Sequence, residues 1–277
     1  MITGHTSVIA HIGFPTETFK APMIYNPYFE KHDIDTIVVP MGCRSEDFAA
    51  FLPAIFSLTN IRGALITMPH KVAVLGLLDA VSTTAAISGA CNAVKRTEDG
   101  KLVGDMFDGE GFARGVERKG QAIKGKDILV VGSGGVGSAI AASLAARAPR
   151  SLKLFDVNLA MAEALGARLS RHYPALDVIV GSKDPDGCDI VVNATPLGMK
   201  AGDPMPMDIT RIAPTAFVGE VVLKKETTAF LDAAIQRGCR VQVGLDMLFE
   251  QIPAYLEFFG FPTTTADELR AVATIRY

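Results

Sequence analysis

Asp127-Ile-Leu-Val-Val131-Gly132-Ser133-Gly134-Gly135-Val136-Gly137-Ser138-Ala139 lies near the middle of a chain of 277 residues and decides how the rest is read. An apolar run feeds directly into Gly132-x-Gly134-x-x-Gly137, and small residues continue from Ser138 to Ala146. A strand, a glycine turn and a helix start in that order make a site for a dinucleotide pyrophosphate. The glycines let backbone N–H groups approach the phosphates, and the helix N-terminus adds partial positive charge. Gly132, Ser133, Gly134, Gly135, Val136 and Gly137 are therefore the expected cofactor loop. The alternative is a Gly-rich turn in a buried strand–helix unit. The strand before the motif and the helix after it favour the phosphate site.

The next decision falls at Asp156, which closes a strand read over Leu152 to Phe155. An acidic residue some 20 residues beyond the glycines accepts hydrogen bonds from the adenosine ribose hydroxyls and repels a 2′-phosphate. Val157 follows it, not Arg, so no clamp for that phosphate is visible. The expected cofactor is NAD, with NADP less favoured. Asp156 could equally cap the helix that starts near Asn158, and the two roles are compatible.

Composition bounds the remainder. Apolar residues make up 49% and charged residues 21%, enough for one large domain or two medium ones. A net charge of −3 without a basic block argues against a nucleic-acid partner. Met1-Ile-Thr-Gly-His5 lacks the charged and apolar regions of a signal peptide, and no apolar run reaches the length of a membrane span. Cys43, Cys91, Cys188 and Cys239 form neither a metal spacing nor a disulfide framework, and the five histidines show no HExxH pattern. A cytoplasmic, metal-free protein acting on a small molecule is expected, as a monomer or homodimer.

Residues 1–108 mix strand and helix signals. Val8–Ile12, Asp35–Val39 and Gly63–Thr67 read as strands, and Glu46–Leu58 as a helix interrupted near its middle by Pro53. Cys91–Arg96 and Lys101–Val103, joined by Thr97-Glu-Asp-Gly100, read as an antiparallel hairpin. From Gly109 to Val243, strands at 127–131, 151–155, 176–180, 189–193, 216–221 and 240–243 alternate with helices at 135–148, 158–172 and 226–237. That alternation predicts a doubly wound parallel sheet. Leu245–Tyr277 reads as two amphipathic helices broken at Gly260-Phe-Pro262. The fold class is α/β: a mixed-sheet domain over 1–108, a Rossmann domain over 109–244, and C-terminal helices over 245–277.

Three segments of the first half hold polar groups where a buried strand would not place them: Thr67-Met-Pro-His-Lys71, Ser88-Gly-Ala-Cys-Asn92 and Gly104-Asp-Met-Phe-Asp108-Gly109. A lysine beside a carboxylate can transfer the proton when an alcohol is oxidised. A lone lysine after a strand is ordinarily a solvated surface residue, and the three segments together with the cofactor loop weigh against that.

With these motifs the chain resembles the shikimate dehydrogenase family from end to end. Gly13-x-Pro15-x6-Pro22 has the family spacing. Thr67-x-Pro69-x-Lys71 resembles NVTxPxK, Gly89-Ala-Cys-Asn92 resembles GAxN, and Gly104-Asp-x-x-Asp108-Gly109-x-Gly111 resembles GDNTDGxG. Asn193-Ala-Thr195-Pro-Leu-Gly198-Met199 resembles NATxxGM, and Gly244-Leu-Asp-Met247-Leu-x-x-Gln251 resembles GxxMLxxQ. The resemblance implies a dehydrogenase with a substrate domain, a dinucleotide domain, C-terminal helices over 245–277 that return to the first domain, and the catalytic dyad Lys71 and Asp108. It implies that Thr67, Asn92 and Gln251 bond substrate hydroxyls, and that Asn193, Thr195, Met199, Val221, Gly244 and Met247 line the cofactor.

The departures are equally informative. The two serines that bind the substrate carboxylate in the family fall on Phe19 and Ala21. Leu65, Met106 and Phe107 replace polar residues of the family motifs, and Val222 stands at the family tyrosine. Phe19, Ala21 and Val222 are thus expected substrate-pocket positions with altered chemistry. The expected substrate is a ring alcohol less acidic than shikimate. An NAD-dependent quinate or shikimate dehydrogenase proper, or a non-catalytic NAD-binding sensor, are the alternatives.

Overall fold

The computed structural model describes residues 2–223 and 227–275. They form two compact units, one of Met1–Phe107 with Ile252–Tyr277 and the other of Asp108–Gln251.

The first unit runs β1 (Ser7–Gly13), α1 (Pro22–Lys31), β2 (Thr36–Gly42), α2 (Ser45–Ile55), β3 (Ile61–Ile66), β4 (Ala80–Val81), α3 (Thr83–Ser88), β5 (Ala93–Arg96) and β6 (Leu102–Asp105). Its sheet has the order β2-β1-β3-β5-β6-β4. β1 lies parallel to β2 and β3, whereas β5 is antiparallel to β3 and β6. The mixed sheet follows from two kinds of connection. Helices carry the parallel crossovers, and the tight turn at Gly100 (φ +88°) closes the hairpin.

Pro53 does not interrupt α2. It lies on the exposed face two residues before the helix ends, and the carbonyl it leaves unpaired, that of exposed Ala49, can be met by water. The helix expected to reach Leu58 therefore stops at Ile55.

The second unit continues with α4 (Asp108–Arg118), β7 (Asp127–Val131), α5 (Gly135–Ala145), β8 (Ser151–Phe155), α6 (Leu159–His172), β9 (Asp177–Val180), β10 (Ile190–Asn193), β11 (Phe217–Glu220), α7 (Ala229–Gln236), β12 (Arg240–Gln242) and α8 (Gly244–Glu250). The sheet order is β12-β11-β10-β7-β8-β9, with every pair parallel. Counted from β7 this is the doubly wound order 3-2-1-4-5-6, whose direction reverses between β7 and β10. Ligands of such sheets bind beyond the strand C-termini at that reversal. The register pairs Val131 with Asn193, so the Gly132 and Asn193 motifs emerge side by side. Leu129, Val131, Val191 and Val218 anchor the apolar layer beneath them, against Phe230 and Leu231 of α7. The helix expected over 226–237 begins at Ala229, capped by Thr228, and Glu226 lies outside the described residues.

The two helices expected over 245–277 are three: α8, α9 (Ile252–Phe259) and α10 (Ala266–Val272). Pro253 can open a helix but not extend one, so it starts α9 afresh. The return to the first unit accordingly begins at Ile252 rather than Leu245. α8 stays with the second unit because it packs on α4, where a Cβ on Gly111 would meet the Met247 carbonyl oxygen at 2.4 Å. No helix is long and apolar enough to cross a membrane among the described residues.

Candidate functional site

The glycine loop of the second unit is built to be narrow. Gly132 takes φ +105°, and its N–H donates to the Phe155 carbonyl at 2.8 Å. A Cβ on Gly137 would lie 2.0 Å from the Gly132 carbonyl oxygen, so α5 meets the turn at a distance only glycine allows. Gly134, by contrast, stands at the N-terminus of α5 with nothing within 4 Å of where its Cβ would be. Ser133 Oγ is shielded and has no hydrogen-bond partner among the described residues. An open approach to a helix N-terminus beside an unpaired hydroxyl fits a dinucleotide phosphate.

Asp156 closes β8 and serves this loop. Its Oδ2 accepts from Ser133 N at 2.7 Å and its Oδ1 from Asn158 N at 2.8 Å. Each carboxylate oxygen keeps a second lone pair, so these two bonds leave capacity for ribose hydroxyls. Val157 beside it is 96% exposed.

Asn193 braces the loop that follows it. It is fully buried, its Nδ2 donates to the Leu197 carbonyl at 3.0 Å, and its Oδ1 accepts from Thr195 N and Oγ1 at 3.1 and 2.6 Å. Thr195 Oγ1 in turn accepts from Leu197 N at 3.1 Å. These side chains hold the 194–198 loop in shape, and Met199 projects from its end into solvent. Half-buried Val221 and buried Val222 follow β11, and Gly244 packs on their backbone, where a Cβ would meet the Val222 carbonyl oxygen at 2.4 Å. Met247 is buried on α8, as are Asp108 at the start of α4 and Gln251. Gln251 Oε1 has no hydrogen-bond partner among the described residues.

In the first unit the three polar segments converge. Thr67 N–H donates to the Ile12 carbonyl at 2.9 Å, Cys91 N–H to the Lys71 carbonyl at 2.8 Å, and Asn92 N–H to the Asp105 carbonyl at 2.9 Å. Asn92 Oδ1 accepts from Phe107 N at 2.9 Å. His70 is buried, stacks on Phe48 with centroids 4.0 Å apart, and donates from Nε2 to the Cys43 carbonyl at 2.8 Å. The backbone of half-buried Lys71 is thereby fixed from both sides. Lys71 belongs to the first unit and Asp108 to the second.

Phe19 and Ala21, where the family serines would stand, are half-buried. Ala21 caps α1 with no side-chain hydrogen bond. Phe19 stacks on His11 with centroids 4.0 Å apart and planes 25° from parallel. Burial, reinforced by the Lys71 ammonium, lowers the His11 pKa to about 4. Sequence reasoning passed over His11. The signal was a lone polar ring in the apolar strand Val8-Ile-Ala-His11-Ile12. Leu65, Met106, Phe107 and Val222 are all buried, and the Phe107 ring meets those of Tyr255 and Phe258 edge-on. Of the replaced positions, Phe19 and Ala21 are the more exposed.

A separate cavity of about 530 Å³ in the first unit is lined by Asn26, Phe29, Asp35 and Thr36. It sits at the N-terminal ends of β1 and β2, away from the strand C-termini where Gly13 and Lys71 gather, and Asn26 already spends its amide on Val38. Among the described residues no cluster of three or more His, Cys, Asp or Glu could hold a metal ion.

The family model for the shikimate dehydrogenase substrate-binding domain matches residues 11–94. A shikimate dehydrogenase (NADP(+)) of Rubrobacter xylanophilus is 32% identical over 98% of this chain and 97% of its own. The crystal structure of Listeria monocytogenes shikimate 5-dehydrogenase with shikimate and NAD superposes with a TM-score of 0.91 at 25% identity, covering 98% of this chain and 97% of that one. Corynebacterium glutamicum quinate dehydrogenase with NAD gives 0.85 at 28% identity, covering 96% and 98%.

Proposed function

We propose, from the premise that the chain belongs to the shikimate dehydrogenase family and is an oxidoreductase, that it oxidises a ring secondary alcohol whose far end carries no carboxylate. A bound nicotinamide dinucleotide would supply the hydride acceptor. Lys71 Nζ relays the hydroxyl proton, and the Asp108 carboxylate holds the hydroxyl or the lysine in place. Thr67, Asn92 and Gln251 orient the ring hydroxyls, and the unpaired Gln251 Oε1 supports that role.

The observation that carries the substrate class is Phe19 stacked on a neutral His11 where the family places a serine. Each hydrogen bond to a charged group contributes about 1.5–3 kcal/mol, so losing two weakens carboxylate binding by about two to four orders of magnitude. The test compares initial rates with shikimate and with its methyl ester, which keeps every ring hydroxyl and removes the charge. The ester should show the higher kcat/KM, and shikimate should fail to saturate. Saturation with shikimate at the higher kcat/KM would sink the proposal.

The cofactor is a nicotinamide dinucleotide, and NAD is proposed over the NADP(+) named for the Rubrobacter relative. The support is local: Asp156 beside the loop, and no cation at Val157. Asp156→Ala should lower the NAD:NADP ratio of kcat/KM at least about tenfold, since like-charge repulsion is removed. Both affinities will drop with the loss of the Ser133 brace, so the ratio is the informative quantity. An unchanged ratio would leave Asp156 as a loop brace only.

A further inference from the structure

We propose that His11 is a specificity-determining residue, whose neutral imidazole hydrogen-bonds an uncharged hydroxyl or carbonyl oxygen of the substrate beside Lys71 and Phe19. This deepens the substrate class proposed above and rests on it. His11 interrupts a strand that is otherwise apolar on both sides, and it is only 8% exposed. Its cross-strand neighbours are Pro40 on β2 and Leu65 on β3, neither of which offers a side-chain partner. Nδ1 has no hydrogen-bond partner among the described residues. A shielded polar atom without a partner calls for an explanation, and a ligand is one that fits a ring at the substrate end of the unit. Phe19 covers one face of the ring, and a Cβ on Gly13 would touch both Phe19 Cζ and Thr67 Cγ2, so His11, Phe19 and Thr67 share one place.

The missing partner has a chemical consequence. The tautomer of a neutral imidazole is set by whatever hydrogen bond one of its nitrogens makes. Nδ1 makes none among the described residues, so that nitrogen can donate to a carbonyl or accept from a hydroxyl. It suits a neutral oxygen in either role. It cannot supply a second positive charge against a carboxylate, because burial and the neighbouring Lys71 keep it uncharged down to a pH of about 4. Serine hydroxyls would have read a carboxylate; an imidazole against a phenyl ring reads a neutral group.

The test follows the ring nitrogens of the ¹⁵N-labelled full chain by NMR during titration with methyl shikimate, and separately with shikimate. The chain has five histidines, and His11→Gln assigns the signal. The His11 nitrogens should move with the ester. In steady-state assays with NAD, His11→Leu should raise the KM for the ester at least about tenfold with kcat changed less than about twofold, a split that marks ground-state binding. His11→Gln should recover most of that KM, and the affinity for NAD should stay unchanged in both variants. Ring signals that stay still while the ester binds, or an unchanged KM in His11→Leu, would show His11 to be core filling and overturn its role alone. If His11→Leu fails to fold, the ring signals and His11→Gln decide. Shikimate bound in preference to the ester, or neither compound bound, overturns the substrate class and the role of His11 together.

Discussion

Lys71→Ala lowers kcat by about two to four orders of magnitude while the dissociation constant for NAD moves less than about twofold. The reason is positional. The backbone of Lys71 is held through its carbonyl by Cys91 N–H, and His70 beside it is locked between the Phe48 ring and the Cys43 carbonyl. Truncating the side chain removes Nζ and leaves that frame intact, so the loss falls on proton transfer and not on folding. Steady-state kinetics together with fluorescence titration of the dinucleotide separate the two. A fall in cofactor affinity equal to the fall in kcat would contradict a proton-relay role. Turnover that survives the substitution would favour a protein that binds the dinucleotide without using it.

The second large effect is a contrast between two glycines three residues apart. Gly137→Ala forces a methyl group to 2.0 Å from the Gly132 carbonyl oxygen, and the obstacle is backbone that cannot swing aside. Overpacking of this kind costs about 1–3 kcal/mol. In a chain of this size that lowers Tm by about 2–12 °C, and the displaced turn loses its dinucleotide. Gly134→Ala meets nothing within 4 Å, and Gly134 has an ordinary negative φ of −69°. Tm should stay within about 2 °C, because no contact is strained. Affinity for NAD should nonetheless fall at least about tenfold, because the methyl occupies the space through which a phosphate approaches the helix N-terminus. Thermal denaturation and calorimetric titration of both variants check the pair. Wild-type affinity in Gly134→Ala would mean that this turn holds no pyrophosphate.

The two glycines also show where sequence reasoning is strong and where it stops. Gly132-x-Gly134-x-x-Gly137 after an apolar run names a turn because the constraint is local: each glycine is demanded by atoms a few residues away. The same holds for the parallel strands of the second unit, whose continuous apolar runs reflect burial on both faces. The hairpin closing at Gly100 is another local constraint, set by one left-handed residue. Three helices escaped. α1 begins at Pro22, behind an Ala21 cap that offers no side-chain hydrogen bond. α3 is six residues long, between a Ser82 cap and a left-handed Gly89, and those two signals could have located it. α4 opens on Asp108-Gly-Glu-Gly111, a poor helix former whose glycines allow close contact, Gly109 with α5 and Gly111 with α8.

The functional site divides in the same way. Residue type and spacing, through the family resemblance, singled out the glycine turn, Asp156 and the segments that end at Lys71 and Asn92. They could not say that Asn193 braces the 194–198 loop, since that depends on where the carbonyl of Leu197 folds back. Nor could they separate Phe19 from Leu65, Met106, Phe107 and Val222. All five are apolar in the sequence, yet four are buried and one stands half-buried over His11. The sequence alone determined the α/β class, the doubly wound second half and the family, because these rest on short-range pattern. Only the tertiary structure decided which replaced residues are buried and that Phe19 stacks on a shielded His11, because burial and an unpaired nitrogen are set by neighbours distant in the chain.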